Sequence, residues 1–258
     1  MNEIIGSTIQ RIHETDSTNN YAATQLLTKR LQEGIVFVAD SQFDGRGQSG
    51  NKWESEPSRN LTFSILLYPD FLEIGKQFEI SKAISIGIAD FLKELTDYVS
   101  IKWPNDIYIG QGKAAGILIE NSIRGNIIST CIVGIGLNIN QQSFFSDAPN
   151  PVSLSGITGK VYNLGESLTN LCLKIDARYR QLRDGKFSQI DNDYTDILFQ
   201  RDVWSIYSDE NGHFEGKLLG VDQIGRLMIE TRSGRVNKYQ FKEVAFQTNN
   251  NPSADGKH

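Results

Sequence analysis

A chain of 258 residues with 39% hydrophobic and 22% charged side chains is long enough to bury a sizeable core and too apolar to stay disordered. At about 150 residues per domain it suggests one large domain, or a large one with a small companion. Its 26 basic against 31 acidic residues give a formal charge of -5, which, without any long basic run, excludes strong nonspecific binding to a phosphate backbone.

The first element expected is a helix of about four turns. Asp16, Ser17, Thr18, Asn19 and Asn20 offer N-caps ahead of Ala22, Ala23, Leu26, Leu27 and Leu31 at helical spacing. Ile35 to Ala39 and Leu61 to Leu67 read as strands on either side of a polar, glycine-rich loop. Ile80, Ala83, Ile84, Ile88, Phe91, Leu92 and Leu95 keep the spacing of a long helix. Strand-like runs follow around Ser100 to Trp103, Ala115 to Glu120 and Ile127 to Ile135. Two more helices are marked by Leu164, Leu168, Leu171, Ile175, Tyr179 and Leu182, then by Ile190, Tyr194, Ile197 and Leu198. Interleaved helices and strands make this first part an α+β or α/β body.

After about Phe199 the helical period stops. Val203 to Tyr207, His213 to Val221, Arg226 to Thr231, Val236 to Tyr239 and Glu243 to Gln247 read as short strands, with turns at Asn211-Gly212, Gly225 and Ser233-Gly234. A small β-barrel, too small to be very stable alone and so docked on the body, is the expectation. The expected division is 1–199 for the body, 200–247 for the small domain and 248–258 for a polar, disordered tail. The start, Met1 to Gln10, has no basic segment followed by an apolar one, and no run of about 18 apolar residues occurs, so neither an export signal nor a membrane span is expected. Cys131 and Cys172 sit far apart in apolar stretches, which suggests neither a disulfide framework nor a zinc site and fits a reducing cytosol.

Chemistry concentrates in a few loops. Asp44-Gly45-Arg46-Gly47-Gln48-Ser49-Gly50-Asn51-Lys52-Trp53 contains G-x-G-x-x-G. It leads into a strand, however, and Asn51 follows Gly50, so neither a dinucleotide fingerprint nor a Walker A loop is present. Two readings remain level: a hairpin with incidental charges, or a nest of backbone N–H groups that, with one guanidinium, suits a phosphate or carboxylate. Lys102-Trp103-Pro104-Asn105-Asp106 makes a rigid corner, because proline fixes its own φ and restrains Trp103. Lys113 enters an apolar strand, either snorkelling outward or delivering a fixed charge into a site. Glycines inside Gly134-Ile135-Gly136-Leu137-Asn138 weaken a strand unless another group comes close. His13, His213 and His258 are scattered, and no H-E-x-x-H, C-x-x-C or G-x-S-x-G motif occurs.

Taken in order, Asp16-Ser17-Thr18-Asn19, Gln42 with Gly45-Arg46-Gly47, Lys102 to Asp106 followed by Lys113 and Gly116, and Gly134 to Asn138 resemble the biotin protein ligases, over roughly Thr15 to Asn140. The resemblance implies an α+β fold: a catalytic domain like class II aminoacyl-tRNA synthetases and a small C-terminal SH3-like β-barrel. It implies a cytosolic enzyme that uses ATP with Mg2+ to form biotinyl-5'-AMP and passes biotin to a lysine of a biotin carboxyl carrier protein. No DNA or membrane partner is expected, since the motifs begin at Asp16 and leave no room for the winged helix-turn-helix of repressor-type members; a homodimer stays open.

Carried over by position, the resemblance assigns biotin to Ser17, Thr18, Asn19, Gln42, Gly45, Arg46, Trp53, Lys113, Gly116 and Leu118. ATP or the adenylate falls to Arg46, Gln48, Lys52, Asn105, Lys113 and Asn138. Arg46 and Lys113 would carry the catalysis at the phosphate. The magnesium ligands cannot be assigned from spacing, and Asp106 is expected to brace the corner. A cyclic urea presents N–H donors and a carbonyl acceptor, so hydroxyls, an amide and a backbone N–H discriminate it where a greasy pocket could not. The chain departs from the family in carrying Gln48 where a second arginine is common, and in lacking a tryptophan counterpart within residues 140–160. Two alternatives are a lipoate or octanoyl ligase or transferase of the related fold, and a noncatalytic biotin-binding module. A kinase-like reading fails for want of an H-R-D and D-F-G pair.

Overall fold

The computed structural model describes residues 3–145 and 150–247, so the tail expected at 248–258 lies outside the described residues. It opens on a strand that the sequence pattern did not announce, β1 (Ile9–Thr15). Five of its seven positions are exposed, so an edge strand covered on one side leaves little hydrophobic alternation to read. Its parallel pairing with β2 (Val36–Gln42), from Ile9 opposite Val36 to Thr15 opposite Gln42, delivers the next residues to the side of Gln42. Helix α1 (Thr18–Thr28) starts there, with Ser17 extended at its N-cap. It ends about a turn sooner than the leucine spacing suggests: Lys29 is extended and Leu27 is 87% exposed.

The large sheet adds β3 (Leu61–Leu67), β4 (Val99–Lys102), β5 (Asp106–Ile109), β6 (Gly112–Arg124) and β7 (Ile127–Leu137), in the order β1-β2-β3-β7-β6-β5-β4. β3 is buried at every position because both its faces are covered. Leu61, Phe63, Ile65 and Leu67 meet the layer of α2 (Phe78–Lys93), α4 (Leu164–Arg183) and α5 (Phe187–Asp196), while Leu66 joins Ala22 of α1 and Phe37 on the other face. Truncating one of these isoleucines or leucines to alanine costs about 2–5 kcal/mol. A short helix, α3 (Leu154–Thr158), follows β7.

Strand parity decides what reaches the α1 face. Ser64 opposes Gly134, Thr62 opposes Gly136, Gly116 opposes Gly136 and Leu118 opposes Gly134. Side chains alternate across a strand, so all of these positions, and Glu120 two residues further on, share one face.

The C-terminal part is antiparallel: β8 (Trp204–Asp209), β9 (Gly212–Val221), β10 (Leu227–Thr231), β11 (Val236–Tyr239) and β12 (Ala245–Phe246), ordered β11-β10-β9-β8-β12. β11 and β12 remain edges, so the expected barrel is open in its pairing. Tyr207, Leu218, Leu227 and Ile229 belong to the same core as the helical layer. Gly225 explains much of the docking. Its φ of 88° and missing side chain let it lie on the Phe78 ring, and its carbonyl accepts a 2.8 Å hydrogen bond from Trp103 Nε1.

Candidate active site

A cavity of about 490 Å3 opens between the α1 face of the large sheet and the 241–246 segment. Ser17, Thr18, Asn19, Gln42, Arg46, Gln48, Lys52, Trp53, Asn105, Lys113, Gly116 and Leu118 line it. Gly45 and Asn138 stand behind that lining. The Gly45 carbonyl accepts from Trp53 N at 2.8 Å and so closes the base of the glycine-rich hairpin. Buried Asn138 donates through Nδ2 to the Val152 carbonyl at 3.1 Å.

One wall is a chain of neutral hydrogen-bonding groups. Thr18 N donates to Gln42 Oε1 at 2.7 Å, which fixes the glutamine amide at the helix start. The fully buried Ser64 hydroxyl lies 2.8 Å from Thr18 Oγ1 and 2.6 Å from Asn19 Oδ1. Asn19 Nδ2 in turn donates to Glu120 Oε2 at 2.7 Å. Gly134 makes this possible, since a Cβ there would stand 2.5 Å from Asn19 Oδ1.

The floor is an indole seated on two glycines. A Cβ on Gly136 would lie 2.2 Å from Trp53 Cε2, and one on Gly116 3.0 Å from Trp53 Cζ3. Those strand glycines therefore make a slot that any larger residue would fill.

Of the cations that line the cavity, Arg46 and Lys113 each sit beside a partly buried carboxylate. Arg46 Nη2 meets Glu120 Oε2 at 2.6 Å. Lys113 Nζ meets Asp106 Oδ1 at 2.8 Å, with both side chains 22% exposed, and lies 5.7 Å from the Trp53 ring centroid. The lysine thus delivers its charge inward. Its backbone is clamped as well: Lys113 N donates to Asn150 O at 2.8 Å and Val152 N to Lys113 O at 2.9 Å. Burial pushes the Asp106 carboxyl above its usual range, opposed by the attraction of Lys113 and then Lys102. Asp106 also closes the corner, opposite Lys102 on β4, while Asn105 Nδ2 donates to the Ile117 carbonyl at 2.8 Å. The Trp103–Pro104 peptide is cis.

Lys52 turns to the rim, where its side chain is 85% exposed and its ammonium meets Asp44 at 3.1 Å. Gln48 begins a single 3-10 turn, Gln48–Gly50.

Sequence reasoning gave several contributors no role in the site, although it singled out Lys102 and Glu120 in the segment that holds Lys113. Ser64 carried a signal, a hydroxyl in the middle of an apolar strand. Glu120 stood at the end of the strand run with nothing to name its partners. Lys102 lines the cavity with its Nζ 4.9, 5.7 and 5.3 Å from the ring centroids of Tyr108, Phe199 and Phe246. Burial lowers its pKa, Asp106 opposes that and Lys113 adds to it. Phe241, Lys242, Val244, Ala245 and Phe246 close the cavity from the C-terminal sheet, far from the motifs in sequence and without a local signature. Among the described residues no group of three or more His, Cys, Asp or Glu side chains is placed to hold a metal ion, and no helix is long and apolar enough to cross a membrane.

Comparison with known proteins matches residues 12–138 to the biotin/lipoate A/B protein ligase family. The bifunctional ligase/repressor BirA of Bacillus subtilis is 32% identical over 235 residues, 86% of this chain and 69% of that one. The biotin–[acetyl-CoA-carboxylase] ligase of Paracoccus denitrificans is 29% identical over 228 residues, 86% of this chain and 93% of that one. Among solved structures, the biotin protein ligase from Aquifex aeolicus in complex with biotin and ATP superposes with a TM-score of 0.78 at 28% identity, over 93% of this chain and 99% of that one. The likeness spans both sheets, so the α+β architecture is the class II aminoacyl-tRNA synthetase-like one, with an SH3-like C-terminal sheet.

Proposed function

We infer the reaction from the premise that this chain belongs to the biotin protein ligase family, given its 32% identity to a relative of which it covers 69%. It is an ATP-dependent biotin–[acetyl-CoA-carboxylase] ligase. The biotin carboxylate attacks the α-phosphate of ATP, giving biotinyl-5'-AMP and pyrophosphate; a lysine amine of the acceptor then attacks the mixed anhydride and releases AMP. Both transition states gather negative charge around one phosphate, where preorganised cations contribute most.

The observation that carries this reading is a single cavity that joins a neutral hydrogen-bonding wall to the cations Arg46 and Lys113. In our reading Ser17, Thr18, Asn19 and Gln42, with the backbone at Gly45, hold the ureido ring. Trp53, Gly116 and Leu118 flank the aliphatic chain. Lys113 bridges the biotin carboxylate and the α-phosphate, Arg46 grips the phosphate, and Gln48, Lys52, Asn105 and Asn138 lie around the adenylate. Magnesium arrives with ATP as part of the substrate. Residues 1–199 would then form the catalytic unit and 200–247 a unit that caps it. The acceptor is the carrier domain of a carboxylase in the cytosol, and the charge of -5 argues against an affinity for DNA.

The test is pyrophosphate exchange. Purified protein with ATP, magnesium and biotin should move labelled pyrophosphate into ATP and should biotinylate one lysine of a carrier domain. Exchange supported by lipoate and not by biotin would overturn the reading.

A further inference from the structure

Arg46 hangs from a hairpin and not from a sheet strand. Among the described residues its backbone is tied across that hairpin, by the bridge between Arg46 and Lys52, by the 2.7 Å bond from Gly47 N to Asn51 O and by the bond from Trp53 N to Gly45 O. A flexible side chain on such a support loses orientation unless something rigid holds it. The firmer group is Glu120, on β6 where that strand has run past β5 and stays paired with β7 through Ile132. Its Oε2 accepts from Arg46 Nη2 at 2.6 Å and from Asn19 Nδ2 at 2.7 Å. Asn19 is itself fixed by Ser64 and by its close seat on Gly134. A guanidinium has five N–H donors in a planar fork. One contact through Nη2 therefore pins one arm of the fork and leaves its other donors for a phosphate.

We propose that Glu120 is a positioning residue for the adenylation step: it fixes the fork of Arg46 toward the reacting phosphate, and Asn19 holds Glu120 in place. This rests on the assignment of Arg46 to the phosphate. The role carries two opposed consequences. Orientation speeds the chemical step, because a catalytic group already aligned needs no ordering at the moment of reaction. The carboxylate also offsets part of the arginine's charge, so it weakens the hold on ATP before reaction. The pair is about two-fifths exposed, at 37% and 40%, so solvent screens this second effect and keeps it to a few-fold.

The decisive variant is Glu120→Gln, nearly isosteric and still an acceptor but uncharged. In biotin-dependent pyrophosphate exchange its kcat should fall about three- to tenfold, since an uncharged amide oxygen holds the guanidinium less firmly than a carboxylate does. Its KM for ATP should fall about two- to fivefold, as a repelling charge has gone. A merely structural residue would move KM upward as kcat fell. The second arm repeats Glu120→Gln in an Arg46→Lys background, where a compact ammonium has no fork to orient; there the loss of kcat should vanish to within about twofold. An unchanged kcat, a raised KM, or an equal loss of kcat in both backgrounds would overturn the proposal. A wild-type protein that shows no biotin-dependent exchange would overturn the enzymatic reading beneath it instead.

Discussion

Gly136→Ala probes the indole slot with one methyl group. Its Cβ would stand 2.2 Å from Trp53 Cε2, 2.5 Å from Nε1 and 2.6 Å from Cζ2, where carbon–carbon contacts settle at about 3.5–4.0 Å. The sheet cannot retreat, because Gly136 is paired with Thr62 on one side and Gly116 on the other. Trp53 follows the glycine-rich loop and must give way instead. An indole buries about 150–250 Å2. If roughly a third of that faces the biotin chain, losing it at about 25 cal/mol/Å2 costs about 1.7 kcal/mol, somewhat more than tenfold in Kd. Should the loop resist, the same clash appears as about 1–3 kcal/mol of lost stability. Calorimetric titration with biotin, read beside the indole emission, measures the outcome. Gly116→Ala, whose Cβ would be 3.0 Å from the ring, should show a smaller effect, and Gly75→Ala, with nothing within 4 Å, none. Unchanged biotin affinity and unchanged emission in Gly136→Ala would refute the placement of Trp53 against the biotin chain.

Lys113→Ala should reduce pyrophosphate exchange about ten- to a hundredfold, the worth of a charge-assisted hydrogen bond of roughly 1.5–3 kcal/mol made in the transition state. Because it strands Asp106, adding Asp106→Asn should restore thermal stability without restoring exchange; recovery of exchange would remove Lys113 from the chemistry. The lowered pKa of Lys102 makes a pH prediction of definite sign. Between that lowered value and the ordinary lysine range near 10.5 the unfolded chain binds the extra proton, so stability should rise with pH across this window. Lys102→Met should lose that rise, and denaturant titrations that run parallel for the two proteins from neutrality to about pH 10.5 would contradict it.

The fold was legible where burial forces a pattern. β3 and the leucines and isoleucines of α2 and α4 report their period because each packs a face against a core. β1 was not legible, since one neighbour and an exposed face ask little of its side chains. The end of α1 was misjudged for a related reason. Leu27 satisfies the helical spacing yet points to water, and the chain leaves the helix at Lys29. The five C-terminal strands could be read from their turns, but not that residues 241–246 would face the cavity, because that depends on how one sheet docks on another through Gly225, Phe78 and Trp103.

The site divides in the same way. Residues whose type is the chemistry, such as Arg46, Lys113, Gln42 and Thr18, stand out in a sequence; the groups that aim them do not. Glu120 is 74 residues from Arg46 along the chain, and Ser64 is 46 from Thr18. Nothing local names either partner. What links them is the pleat: β3, β7 and β6 are in register so that Ser64, Gly134, Gly136, Gly116 and Glu120 fall on one face. Once that register is known, the strand glycines explain themselves, as absences that admit Asn19 and Trp53. A shift of one residue in the β6–β7 register would turn Glu120 to the opposite face, away from Asn19 and Arg46, while leaving every motif in the sequence intact. The reactive cations are therefore specified by the motifs and their orientation by the sheet. On this account substitutions within the β6–β7 pairing should damage adenylation even where they touch no substrate.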